Sequence, residues 1–180
     1  MEKTLTKRID ALVVGCALGS GCDEHELVRL AIDYAHEFRR PYVLPYKHMR
    51  ALETHNNEQD VAKRMEAKVN KVIDKTLTKI IDALVVGCAL GSRCDESELM
   101  HLATEYARGF RRPYVLPSHH MRSLETPIEQ ETAIQMESKV NDVINKTIRP
   151  HTPNASSPRT RSKGRSKGGK KKSRSSKRRL

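Results

Sequence analysis

Twelve cations stand within 21 residues near one end of this chain: Arg159, Arg161, Lys163, Arg165, Lys167, Lys170, Lys171, Lys172, Arg174, Lys177, Arg178 and Arg179. No carboxylate lies among them. A run of this kind neutralises phosphates and releases their counterions, so its natural ligand is a polyanion. The formal charge of the whole chain is +12, yet it is not spread evenly. From position 149 onward there are 13 basic residues and no acidic one, leaving 21 of the 34 basic residues against all 22 acidic ones. The body is neutral, and the tail carries the excess charge. Arg-Ser steps at 161–162, 165–166 and 174–175 favour RNA over DNA. The Lys170–Lys172 and Lys177–Arg179 blocks also fit a nuclear localisation signal, with residence in the nucleus or nucleolus. Phosphorylation of the serines, or at Thr152-Pro153 and Ser157-Pro158, would subtract about 1.5 to 2 charges per site.

A second basic surface gathers around the string FRRPYVLP, present at 38–45 and again at 110–117. Its members are Arg39, Arg40, Lys47 and Arg50, then Arg111, Arg112 and Arg122. The string reads as a helix end, and the unpaired carbonyls of a helix C-terminus attract cations. That explains the arginines as complements of the helix dipole. The sharper expectation is that Pro41 and Pro45 hold an extended segment that displays Tyr42 beside the cations. Two such clusters could straddle a duplex through contacts to its shape.

The remaining candidates carry less. GCALGSGC at 15–22 lacks the Gly-Lys-Ser/Thr ending of a phosphate loop, and Arg93 replaces Gly21 in the second copy. Cys16, Cys22 and His25 do not have a common zinc spacing, and Ser97 stands where His25 does. The four cysteines are expected as free thiols in a reducing compartment. His48 and His120 recur within HMR without an acid or nucleophile at a recognisable spacing, so no enzyme, metal or cofactor is expected. VVGC at 13–16 resembles a lipoprotein cleavage site, but Asp10 interrupts the apolar stretch and the segment recurs internally. No apolar run approaches the roughly 20 residues of a membrane helix, and no membrane partner is expected.

The elements that position these residues come in two copies. Residues 3–54 and 75–126 align at an offset of 72 with 12 differences and 40 identities. The register then slips by one, so that MEAKVNKVID at 65–74 matches MESKVNDVIN at 136–145. Each copy reads as three helices. In the first, Leu5, Ile9, Leu12, Val13 and Cys16 lie on one face, and Gly19 or Gly91 ends the helix as a left-handed cap. The second starts at Asp23, with Glu26 three residues on. It carries the stripe Leu27, Leu30, Ala31, Tyr34, Ala35 and Phe38, and Pro41 stops it. The third starts near Glu58, bears Val61, Met65, Val69, Val72 and Ile73, and meets no Gly or Pro before Gly87. It should run on into the first helix of the second copy.

The expected fold is therefore all-α: two tandem three-helix repeats, 1–74 and 75–147, sharing a long central helix, as though a homodimer had been fused. A disordered Lys/Arg/Ser-rich tail follows at 148–180. The expected function is a non-enzymatic nuclear regulator that binds nucleic acid through the tail, with nuclear import machinery as a partner and homodimerisation open. In general design this resembles small viral accessory proteins and RNA-silencing suppressors, without any shared motif. The rival is a helical protein–protein adaptor whose tail serves only as a localisation signal.

Overall fold

A computed structural model of the protein describes residues 2–52, 57–92 and 94–149. The tail expected from 148 onward lies almost wholly outside them. Among the described residues there are seven helices and no strand. They are α1 (Glu2–Ala17), α2 (Glu24–Phe38), α3 (Tyr46–Ala51), α4 (Glu58–Ala89), α5 (Glu96–Phe110), α6 (Ser118–Ser123) and α7 (Pro127–Ile148).

Local chemistry accounts for most of the boundaries. Asp23 caps α2 by accepting from the Glu26 backbone N–H at 2.9 Å, and Asp95 does the same for α5 through Glu98. At the end of α1 the Ser20 and Gly19 amides turn back to the Gly15 and Cys16 carbonyls, which requires the left-handed φ of 70° at Gly19. Gly91 repeats this at the end of α4, with φ 68°. Helix α7 opens with Pro127 in its first turn and a reciprocal pair of bonds between Thr126 and Glu129. Helix α4 runs for 32 residues without a break, about 48 Å at 1.5 Å per residue.

Two features depart from the sequence reading. The extended exit from α2 does not continue past Pro45: a six-residue helix, α3, starts there, and α6 starts likewise after Pro117. Pro45 and Pro117 stand at the N-caps, with φ −57° and −59°, where the N–H that proline lacks is not needed for an intrahelical bond. The cysteines, expected free, are paired as Cys16–Cys22 and Cys88–Cys94. The cause lies in the glycine turn after α1. It folds the chain back on itself and brings the two Cα atoms to 4.4 Å, within bridging distance. Cys16 and Cys88 are buried, while Cys22 and Cys94 are exposed.

Helix α4 packs against α1 and α2, and also against α5 and α7. The apolar stripes read from the sequence face this junction. Ile9, Val13, Leu30, Ala31, Ile73, Leu77, Ile81, Leu99 and Ile144 are all essentially inaccessible. Burying each Leu, Ile or Val contributes about 1.5 to 3 kcal/mol relative to leaving it in water. The core is aliphatic with a few tyrosines, and it fixes where the segments after α2 and α5 must lie.

Candidate functional sites: buried carboxylates and the basic segments

The first three helices leave the 39–45 segment as a strap crossing from α2 to α3. What holds it down is unusual for an irregular segment. Asn70 of α4 donates from Nδ2 to the Tyr42 carbonyl and accepts from the Tyr42 N–H, both at 2.8 Å. One amide side chain thus stands in for a neighbouring strand. Glu66 accepts from the Leu44 N–H at 3.2 Å. Asn141 makes the same pair of bonds to Tyr114. The expectation that Tyr42 is displayed is therefore wrong. Its side chain is fully buried, because the backbone is clamped with that side facing α1.

At the foot of the strap lies a constellation that spacing rules did not reveal. The Tyr42 hydroxyl donates to Asp10 Oδ1 at 2.6 Å, and the His48 Nε2 stands 3.7 Å from Asp10 Oδ2. Tyr114, Asp82 and His120 repeat the arrangement with the same distances. Asp10 and Asp82 are the buried charged residues of the described body. Burial, reinforced by the adjacent carboxylate, holds both phenols protonated well above the usual tyrosine range. The bond is directed inward and fastens the strap to α1 or to α4. The signal was present in the sequence as an acid kept in both copies amid an apolar stripe, but its partners are 32 residues away.

Carboxylates engage two members of the predicted basic surface. Arg39 donates to Glu98 Oε1 at 2.7 Å, and Arg112 donates to both oxygens of Asp74. The Asp74 hydrogen bond also raises the pKa of Arg112, whose guanidinium carbon lies 5.8 Å from the Tyr106 ring centroid. Arg40 lies at the same distance from the Phe38 ring. Lys47, Arg50, Arg111 and Arg122 are exposed. Arg39 and Arg111 both adopt left-handed backbone, with φ 52° and 48°, where they cap α2 and α5. The tail cations, Arg159 to Arg179 as named above, lie outside the described residues.

Among the described residues no group of three or more His, Cys, Asp or Glu is arranged to hold a metal, and no helix is long and apolar enough to cross a membrane. No protein-family model matches the chain, and comparison with curated proteins and with solved structures finds no match.

Proposed function

We propose that this is a non-enzymatic regulatory protein that binds nucleic acid, RNA in preference to DNA, through its Lys/Arg tail. In this reading the body is a scaffold of two tandem three-helix repeats, 1–74 and 75–147, that share α4. The observation that carries the proposal is the segregation of charge: 13 cations and no acid after position 148, attached to a near-neutral body. Two of the body's candidate arginines are already engaged by carboxylates, which leaves the tail as the principal source of unopposed positive charge.

The tail's Lys/Arg blocks also make nuclear import machinery a proposed partner. Nuclear residence and paired cysteines pull in opposite directions, because glutathione keeps nuclear thiols reduced. Alkylation of the protein as isolated from cells distinguishes the two: four alkylated cysteines accompany nuclear residence, and none accompanies an oxidising compartment.

The test of function replaces the twelve tail cations by glutamine in the full chain and measures binding to duplex RNA, duplex DNA and single strands. The proposal predicts loss of binding by at least about 100-fold. Unchanged binding would assign the contact to the body, and no binding by the parent chain would leave the adaptor reading in its place.

A further inference from the structure

The second copy exposes at its end what the first copy covers. In the first copy Arg39 donates to Glu98 Oε1 of α5 at 2.7 Å, and the Pro41 ring occupies the space that a side chain at Gly109 would need. Glu98 and Gly109 are 11 residues apart, about three turns, so they share one face of α5. Leu77 of α4 is inaccessible.

The second copy repeats these three residues as Arg111, Pro113 and Ile148. The backbone is the same: φ is 48° at Arg111 against 52° at Arg39, and Asn141 clamps Tyr114 as Asn70 clamps Tyr42. Yet Arg111 and Pro113 are exposed where Arg39 and Pro41 are half-buried, and Ile148 is half-buried where Leu77 is inaccessible. Arg111 lines an open groove of about 320 Å³ with Ala107, Arg108, Thr147 and Ile148.

We propose that this groove is a docking seat for a partner protein's helix that carries a glutamate and, three turns on, a glycine. The chemistry is that of α5 against the first copy: a carboxylate for Arg111, and a helix surface bare of side chain for Pro113. A second copy of this chain does not qualify. Its α5 is already held by its own Arg39 and Pro41. Its α2 offers Glu26, which is paired with Arg8, and sets Glu37 where glycine is required. Glu37 thus keeps the chain from filling its own seat. The seat does not depend on the nucleic-acid reading above.

Two substitutions at exposed positions turn α2 into the required helix. In the full chain, Arg8→Ala frees Glu26 and Glu37→Gly bares the surface three turns on; Gly109 already shows that this turn of a helix accepts glycine. The seat is small, at the weak end of protein interfaces, so concentration-dependent shifts of backbone amide NMR resonances are the readout. In this double variant the amides of Arg111, Val115, Ile148 and position 37 should shift together as protein concentration rises. The parent should show no such shift, nor should Arg8→Ala with Glu37→Ala, because alanine already places a Cβ against the proline ring. Adding Arg111→Ala to the glycine variant should weaken association by at least about 10-fold. A glycine variant that does not associate, or whose association ignores Arg111→Ala, overturns the seat. Equal association by the alanine variant overturns the requirement for glycine. A parent chain that associates through these residues overturns the exclusion by Glu37 and makes a second copy the occupant.

Discussion

Residues 38–45 and 110–117 are identical in sequence, yet they meet different neighbours. Arg39 reaches Glu98 at the start of α5, whereas Arg111 has no ion-pair partner among the described residues. Pro41 lies against Gly109 so closely that a Cβ there would come within 2.7 Å of the proline ring. The corresponding residue in the first copy is Glu37. Glu26, which corresponds to Glu98, pairs with Arg8 instead. The first copy's strap therefore touches the second copy's helix, and Glu26 and Arg111 do not return the ion pair that Arg39 makes with Glu98. Glu37 places a bulky charged side chain at the position where Gly109 makes room.

The comparison can be broken most severely at its shared part. Asp10→Ala and Asp82→Ala each strand a buried phenol, and each should cost about 3 kcal/mol in urea unfolding. Costs that differ by more than about 1 kcal/mol would mean that the two straps are not fastened alike. Gly109→Ala sharpens the difference between the copies. Alanine normally stabilises a helix over glycine by about 1 kcal/mol, but here the Pro41 ring should reverse the sign, to a loss of about 1 to 2 kcal/mol. Glu37→Ala should stay within about 0.5 kcal/mol of the parent.

A gentler probe is alkali. The Tyr42 and Tyr114 phenols are held protonated in the fold and ionise near pH 10 when unfolded. Their contribution is complete below about pH 10 and is lost as pH rises, by about 1.4 kcal/mol per tyrosine at pH 11. Absorbance titration should show both phenols ionising only with unfolding, and an early, separate titration of either would contradict its anchoring. A modest effect of the opposite sign is expected at the left-handed caps. Arg111→Gly removes a strained backbone without losing an ion pair and should stabilise by about 1 kcal/mol. Arg39→Gly also loses the Glu98 contact and should show less gain.

What could be read from the sequence was what depends on near neighbours. The stripe from Leu27 to Phe38, the Asp23 cap, the Gly19 turn and the start of α4 at Glu58 follow from spacing of a few residues. The burial of Tyr42 and Tyr114 is not legible in this way because their partners are distant. Asn70 lies 28 residues from Tyr42, and Asp10 lies 32 away. The disulfides span only six residues and close on the legible Gly19 turn; the expectation of free thiols rests on the compartment and not on that turn. The asymmetry was written as a single difference, Glu37 against Gly109, whose meaning needs the position of Pro41 in space.

The central claim, that nucleic acid is held by the tail's cations, is tested most directly by the salt dependence of affinity. If all twelve tail cations met duplex phosphates, the slope of log K against log salt would be about −11. We predict a slope steeper than about −5 for the full chain, falling to shallower than about −2 when the twelve cations are replaced by glutamine. Equal slopes for the two proteins, or no measurable binding by the parent near physiological salt, would contradict the account.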